Sequence, residues 1–255
     1  MKRLTLCILS MILMLAPLAA PAQAKETELY VLAAASLTDV MAEIGETYRA
    51  AAPKVKITFV FESSGKLQSQ IEAGAAADVF VSAAQKQMNA LEEKGLIKSD
   101  SRRDLLVNKV VLIVPKDSGL ALKGFEDVAA DQVKMVAIGE ESVPVGQYTQ
   151  AIYEHLGLWE AVKAKANLGQ NVRAVLAWVE SADADCGVVY ATDAASTDQV
   201  RVVAEAPEGS HAPVVYPAAV VEGTKNAEAA QAFLDYLSGP EARALFVKAG
   251  FEPVQ

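Results

Sequence analysis

Five segments carry the residues whose types could do chemistry. Three lie between a predicted strand and the next helix, one directly precedes a predicted helix, and one directly follows a predicted strand. The segments span 33–39, 62–66, 140–146, 169–173 and 190–193. Four of them place small, hydroxyl or turn-forming residues at a helix start. Free backbone N–H groups point outward there, and the helix dipole adds partial positive charge. Together they predict an anion site that needs no Lys or Arg.

Ser36, Ser64 and Asn171 in these segments also fit a purely structural role. Ser and Asn are favoured N-caps, and any one of the three taken alone is best explained as a cap. Ligands of open α/β sheets, however, bind beyond the carboxyl ends of the strands. The recurrence of such residues at that edge therefore favours a binding site, although it does not name the anion.

Lys66, which follows Ser64 and a glycine, is reminiscent of a phosphate-binding loop. The full G-x-x-x-x-G-K-[ST] pattern fails, because Val60 stands at the first glycine position and Leu67 follows the lysine. That pattern needs both glycines and the final hydroxyl to hold a nucleotide and its Mg²⁺. The sequence therefore argues against nucleotide binding.

The two histidines, His155 and His211, lie far apart and without metal-binding spacing. A histidine-based metal site is therefore not expected. A secreted hydrolase with Ser64 or Ser36 as nucleophile would need a base, and the sequence has no G-x-S-x-G element and no identifiable base. Hydrolysis remains a remote alternative.

The composition excludes several classes of protein. The chain has 255 residues, with 23 Lys+Arg against 32 Asp+Glu and a formal charge of −9. A nucleic-acid binder needs a basic face, so no nucleic-acid partner is expected. Its 2 cysteines cannot form a disulfide framework or a cysteine-based zinc site. The length allows one large domain or two of moderate size.

The first 24 residues are predicted to be a secretory signal peptide. Lys2 and Arg3 precede an apolar run over 4–15, and Ala22, Gln23 and Ala24 form a small-x-small cleavage signal. A retained anchor is the alternative, but the run is shorter than the ~20 residues that a membrane span needs. Cleavage after Ala24 removes two basic and no acidic residues, so the charge becomes −11. Since no lipid-anchor cysteine follows, we expect a periplasmic location.

Beyond the signal, predicted strands and helices alternate. Strands are predicted at 28–34, 55–61, 78–82, 109–114, 134–138, 186–190, 200–204 and 214–221. Helices are predicted at 37–51, 66–73, 85–94, 145–156, 171–180, 226–237 and 240–249. This pattern predicts an α/β protein whose sheets are mostly parallel and are flanked by helices.

The part after 213 offers one strand and two helices, too little for a core of its own. We therefore predict two lobes, 25–107 plus 214–255 and 108–213. The chain would cross between them near 106–108 and 214–216. Two crossings form a hinge, and the cleft between the lobes is the expected ligand site.

Six regions of the sequence resemble periplasmic molybdate-binding proteins, the substrate-capturing components of ABC importers for molybdate and tungstate. The resemblance covers nearly all of the mature chain in the same order. The regions are 34–38 (AASLT), 71–74 (IEAG) followed by 77–82 (ADVFVS), 143–146 (VPVG), 171–173 (NVR), 187–190 (GVVY) and 216–222 (YPAAVVE).

The resemblance implies the two-lobed type II periplasmic-binding-protein fold, with a double-crossover hinge and the oxyanion buried in the cleft. By motif, Ser36 and Ser64 would donate through hydroxyl and backbone N–H, and Tyr190 through its phenolic O–H. Val145 and Val172 would donate through backbone N–H. Molybdenum would be present only as the oxyanion, without direct protein ligands. The resemblance further implies no catalysis, no cofactor, a monomer and a membrane permease as partner.

Two residues depart from the family pattern. Glu62 brings a negative charge close to Ser64, and we expect its carboxylate to point away from the cleft. Val145 is larger than the alanine that is common at its position. A backbone donor survives that change, although packing in the cleft would tighten.

The chemistry of a donor-only site suits molybdate, a tetrahedral dianion whose oxygens only accept hydrogen bonds. Phosphate keeps a proton at neutral pH, and leaving that donor unpaired costs roughly 1–3 kcal/mol. Sulfate has no proton but is smaller, so its contacts would be stretched. Tungstate matches molybdate in size and charge. Sulfate or another tetrahedral oxyanion remains the alternative ligand.

Overall fold

The computed structural model describes residues 26–254, so the predicted signal peptide lies outside the described residues. The strands are β1 Thr27–Ala34, β2 Val55–Glu62, β3 Val79–Val81, β4 Arg103–Asn108, β5 Val110–Pro115, β6 Val136–Gly139, β7 Ala166–Gly169, β8 Cys186–Tyr190, β9 Val200–Glu205, β10 Val214–Val220 and β11 Glu252–Pro253. The α-helices are α1 Thr38–Ala51, α2 Ser64–Glu72, α3 Gln85–Glu93, α4 Pro144–His155, α5 Trp159–Lys163, α6 Val172–Glu180, α7 Ala191–Ala195, α8 Ala227–Leu237 and α9 Pro240–Lys248.

The strands form two sheets. Sheet A has the order β11-β4-β10-β3-β1-β2, and sheet B has the order β7-β6-β8-β5-β9. Helices α1, α2, α3, α8 and α9 pack on sheet A, whereas α4, α6 and α7 pack on sheet B. The predicted α/β fold class is confirmed.

Most strands of each sheet run in one direction, as expected, but each sheet also contains antiparallel pairs. In sheet A, β1 pairs in parallel with β2 and β3, but β10 runs antiparallel to β3 and β4. In sheet B, β6 pairs in parallel with β7 and β8, but β5 runs antiparallel to β8 and β9.

Two of the opposed strands, β5 and β10, are the strands by which the chain enters one sheet from the other. The chain leaves sheet A at the end of β4, passes through Lys109 and enters β5 of sheet B directly. It leaves sheet B after β9 and returns through 206–213 to β10 of sheet A. Each sheet thus contains a contiguous parallel trio, β3-β1-β2 or β7-β6-β8, beside the connecting strands.

Helix α1 shows how the sequence pattern produces the layers. Its buried face consists of Val40, Met41, Ile44 and Tyr48, as the 3.6-residue period predicts. The Tyr48 ring packs edge-on against Phe233 of α8, with centroids 5.0 Å apart. This contact ties the C-terminal helices to the N-terminal part of the chain.

Pro217 lies within β10, near the centre of sheet A. The pairing with β4 shifts register between Tyr216 and Pro217. Proline has no N–H to donate, so such a residue is tolerated in a sheet only where the ladder is already irregular. The carbonyl of Pro217 still accepts from the Ser82 N–H at 2.9 Å, which holds β10 against the end of β3.

Asp78 joins the segment after 213 to the start of the domain. Its buried carboxylate accepts from the Tyr30 N–H at 2.7 Å and from Asn226 Nδ2 at 3.3 Å. It also accepts from the Thr224 hydroxyl. One carboxylate therefore fixes three separate segments of sequence around sheet A.

Replacing Asp78 with Ala should lower the free energy of unfolding by about 1–3 kcal/mol, because the Tyr30 N–H loses its acceptor. Urea unfolding followed by circular dichroism measures this loss. Asp100→Ala, at an exposed position, is the matched control and should stay within about 0.5 kcal/mol of wild type. Equal stability of the two variants would contradict the assigned role.

Candidate functional site

The five residues that the sequence singles out lie around one small cavity. All five are buried: Ser36, Ser64, Val145, Val172 and Tyr190. The remaining lining residues are Ala34, Ala35, Ser63, Ala83, Val143 and Pro144. No charged side chain is among these lining residues of the described chain.

The cavity lies where the carboxyl ends of the two parallel trios meet. Strands β1, β2 and β3 lead into the lining segments at Ala34–Ser36, Ser63–Ser64 and Ala83. Strands β6, β7 and β8 lead into those at Val143–Val145, Val172 and Tyr190. This is the edge at which open α/β sheets bind ligands.

On the sheet A side, neither Ser36 nor Ser64 is a helix cap. Ser63 caps α2, with its hydroxyl accepting from the Lys66 N–H at 3.4 Å. Ser64 is instead the first helical residue, and its Oγ accepts from the Ala83 N–H at 2.9 Å. Ser36 lies in a 3-10 turn after β1 and caps no helix. Ser36 and Ser64 are therefore not explained as N-caps. The hydroxyl of each still has a proton to donate.

On the sheet B side, two helices begin at the cavity. Val145 is the second residue of α4 and Val172 is the first residue of α6. Backbone N–H groups in the first turn of a helix have no intrahelical partner. Asn171 is a true cap, since its side chain accepts from the Ala174 N–H at 3.0 Å. Both valines thus offer backbone donors at the cavity.

Gly146 explains how α4 reaches the cavity. A Cβ at this position would lie 2.3 Å from the Gly139 carbonyl oxygen at the end of β6. Only a residue without a side chain allows α4 to start this close to sheet B. The position of the Val145 N–H therefore depends on the glycine that follows it.

Tyr190 ends β8 and holds the least satisfied polar group at the cavity. Its hydroxyl is buried and has no hydrogen-bond partner among the described residues. Burial raises the pKa of Tyr190 well above its usual value, so the hydroxyl keeps its proton at neutral pH. A buried hydroxyl without a partner costs about 1–3 kcal/mol, which a ligand that accepts hydrogen bonds would recover.

Glu62 lies on the rim and is not among the residues that line the cavity. Its Oε1 accepts from Asn171 Nδ2 at 2.7 Å, which joins the sheet A side to the sheet B side. Partial burial opposes ionisation, but hydrogen bonds from Asn171 and Ser63 and the charge of Lys66 outweigh it. They lower the pKa of Glu62 below its usual value. The carboxylate therefore bridges the two sides of the rim.

Further rim contacts also join the two sides. Lys66 Nζ donates to Gln170 Oε1 at 2.8 Å, and Arg173 Nη2 lies 2.8 Å from Asp39 Oδ2. Sequence reasoning missed these pairings, because nothing local to any of these residues indicates a partner a hundred or more residues away. The one available signal was the clustering of polar residues next to the predicted ligand positions.

Asp193, an acidic residue buried next to the site, was also not predicted from the sequence. It is fully buried in α7, and Arg173 Nε lies 2.9 Å from its Oδ1, without the alignment of a hydrogen bond. Burial raises the pKa of Asp193 to about 7, against the opposing charge of Arg173. A lone acidic residue among small ones directly after a buried strand was the signal in the sequence.

Two further properties describe the chain over residues 26–254. None of the helices in this range is long and apolar enough to span a membrane. Within the same range, no group of three or more His, Cys, Asp or Glu side chains is arranged to hold a metal ion.

Two α/β halves, connected twice by the chain around a buried cavity, define the class of solute-binding proteins. The chain belongs to the bacterial extracellular solute-binding protein family, whose model matches residues 29–252. The predicted family resemblance is confirmed by relatives and by the fold of a solved structure.

The relatives include two molybdate-binding proteins named ModA. The one from Haemophilus influenzae is 40% identical over 233 residues, covering 89% of this chain and 91% of the relative. The one from Escherichia coli is 40% identical over 237 residues, covering 90% and 91%. The solved periplasmic molybdate-binding protein of Azotobacter vinelandii shares the fold, with a TM-score of 0.79 at 23% identity. It covers 89% of this chain and 100% of that structure.

Asp193 predicts a specific dependence of stability on pH. Its folded pKa of about 7 lies above the unfolded value of about 4, so the folded protein binds the extra proton between these values. The stability that Asp193 contributes is therefore full below about pH 4 and falls as pH rises to about 7, by at most about 1.4 kcal/mol per pH unit.

Unfolding of wild type and Asp193→Asn should be compared from pH 4.5 to 8.5. The difference in unfolding free energy should move in favour of the variant up to about pH 7 and then level off. A difference that is constant across this range would contradict the raised pKa of Asp193.

Proposed function

We propose that the protein binds molybdate, and equally tungstate, in this cavity and delivers it to the membrane permease of an ABC importer. The observation that carries the proposal is the Tyr190 hydroxyl, which is buried and has no hydrogen-bond partner within residues 26–254, in a cavity that is lined by neutral hydrogen-bond donors. The identity of about 40% with two molybdate-binding proteins supports the choice of ligand.

The proposed site uses five residues from two lobes, 25–107 plus 214–255 and 108–213. Ser36 and Ser64 donate from the first lobe through hydroxyl and backbone N–H. Val145 and Val172 donate backbone N–H groups from the second lobe, and Tyr190 donates its phenolic O–H. An anion that contacts both lobes stabilises the closed arrangement, which shifts the population toward it.

The neutral donors suit a fully deprotonated oxyanion. Molybdate and tungstate oxygens accept at every position, so each donor finds a partner and the ion needs no counter-charge in the cavity. Hydrogen phosphate would bring a donor of its own and leave it unpaired. Sulfate satisfies the same donors over longer contacts and is the second candidate ligand.

The location and assembly follow from the same proposal. The protein is exported by a signal peptide that is cleaved after Ala24, and it works as a monomer in the periplasm. It passes its ligand to the permease without a chemical step and without a cofactor. Ser64 is poorly placed as a nucleophile, since its Oγ already accepts from the Ala83 N–H. His211 Nδ1 is in turn paired with the Ala212 carbonyl.

Titration calorimetry of the mature protein with molybdate, tungstate, sulfate and phosphate tests the ligand. We expect micromolar or tighter binding of the first two anions. Ser36→Ala/Ser64→Ala should weaken molybdate binding by about 3 kcal/mol or more, because each hydrogen bond to a charged group contributes about 1.5–3 kcal/mol.

Ser69→Ala is the matched control, since Ser69 lies on the exposed face of the same helix as Ser64. It should bind like wild type. Absence of heat with molybdate up to millimolar concentration would refute the ligand. Unchanged affinity of the double variant would refute the site.

Gly65→Ala should impair closure of the cleft. A Cβ at Gly65 would lie 2.1 Å from the Ser142 carbonyl oxygen on the opposite side of the rim. Overpacking of this kind costs roughly 1–3 kcal/mol, so molybdate affinity should fall about tenfold or more.

Thermal unfolding without ligand should be nearly unchanged in Gly65→Ala, because the clash arises only when the two sides meet. Gly119→Ala is the control, since a Cβ there meets nothing within 4 Å. Equal molybdate affinity in both variants would show that Gly65 does not govern closure.

A further inference from the structure

Behind Ser36 lies a buried hydrogen-bonded chain that does not line the cavity. Ser36 Oγ is 2.9 Å from Tyr216 Oη, and Tyr216 Oη is 3.3 Å from Asn108 Nδ2. Asn108 Nδ2 also donates to Thr192 Oγ1 at 2.9 Å. All four side chains are buried, so the direction of each hydrogen bond is set by the protein alone.

Asn108 determines which group donates in each of these hydrogen bonds. Its Oδ1 accepts from the Lys109 N–H at 2.8 Å, and a backbone N–H can only donate. The amide oxygen is therefore fixed on that side, and the amide nitrogen faces Tyr216 and Thr192. An amide nitrogen cannot accept, so Tyr216 Oη must be the acceptor in its contact with Asn108.

The orientation of the Tyr216 hydroxyl follows from that of Asn108. Its oxygen accepts from Asn108, so among these four side chains its proton can be donated only to Ser36 Oγ. Burial raises the pKa of Tyr216 well above its usual value, so that proton is present at neutral pH. Tyr216 donates to Ser36, and the Ser36 proton is left to point into the cavity.

Ser64 is also left as a donor to the cavity, but by a backbone group. The Ala83 N–H donates to its Oγ, so the Ser64 proton is also left for the cavity. Both serine hydroxyls therefore act as donors to the cavity, Ser64 because of the Ala83 N–H and Ser36 because of the Tyr216 hydroxyl. Only the Tyr216 hydroxyl can be removed by substitution.

We infer that Tyr216, oriented by Asn108, is a positioning residue that commits Ser36 as a donor and so makes the cavity select oxyanions without a proton. This inference rests on the proposed function and assigns its selectivity to a residue outside the cavity. Without the Tyr216 hydroxyl, Ser36 Oγ would be free to accept from a protonated oxyanion.

The test compares proton-free dianions with hydrogen phosphate in wild type, Tyr216→Phe and Asn108→Asp. Calorimetry at pH 8 uses molybdate, sulfate and phosphate, since phosphate is then a dianion that carries one proton. The selectivity is the affinity for molybdate, or for sulfate if wild type prefers it, divided by the affinity for phosphate. In Tyr216→Phe this ratio should fall about tenfold, by loss of molybdate affinity and gain of phosphate affinity.

Asn108→Asp tests the same inference without removing the tyrosine. A carboxylate beside Tyr216 would accept its proton and reverse the hydrogen bond, so Ser36 would again be released. The added charge weakens all dianions alike, whereas the released hydroxyl lowers the ratio. Tyr236→Phe, whose hydroxyl contacts Thr47 at an exposed position, is the control and should leave the ratio unchanged.

The outcomes separate the inference from the proposed function. If wild type binds a proton-free dianion and both variants lose affinity equally for all three anions, Tyr216 is only structural and the inference is overturned. If wild type binds none of the anions, or prefers phosphate, the proposed function and the inference both fall. A lowered ratio in both variants, with folding confirmed by thermal unfolding, supports the inference.

Discussion

The constraint on which this structure depends is that a buried hydrogen-bond donor must find an acceptor. Tyr190 has no acceptor among the described residues, and the first turns of α4 and α6 bring further unpaired N–H groups to the same cavity. Each unpaired donor costs about 1–3 kcal/mol when it is shielded from water. A small acceptor-only ligand removes several of these costs at once, so a dianion could bind although no described residue of the cavity lining carries a positive charge.

The net negative charge of the chain is compatible with an anion site that uses neutral donors. A formal charge of −9 opposes long-range attraction of an anion, so capture has to rely on contacts made inside the cavity. The charges near the site are paired with one another instead of facing the cavity. Glu62 pairs with Lys66 and also accepts from Asn171. Arg173 lies between Asp39 and Asp193. The rim thus uses its charges to join the two sides, while the cavity stays neutral.

The sequence was sufficient for the parts of the fold that depend on local pattern. The buried face of α1 and the junctions after β1, β2 and β6 follow from periodicity, and the cavity lies at these junctions. Strand β7 and helix α7, which complete the other two junctions, were not predicted. Pairing direction was not accessible, because a strand such as β10 has the same pattern in parallel and antiparallel sheets. The choice of Ser63 over Ser64 as cap was also hidden, since it depends on which residue adopts the extended backbone before α2. The partners of Glu62 and Arg173 depend on tertiary folding and have no local signature.

The mixed sheets give the connecting strands a second role. Here Asn108 ends β4 at one crossing, and Tyr216 lies in β10 just after the other. Thr192, which accepts from Asn108, belongs to α7 on the sheet B side. The hydrogen bonds that set the direction of Ser36 therefore lie at the point where both connections meet, so a relative movement of the two sides would change that direction together with the size of the cavity.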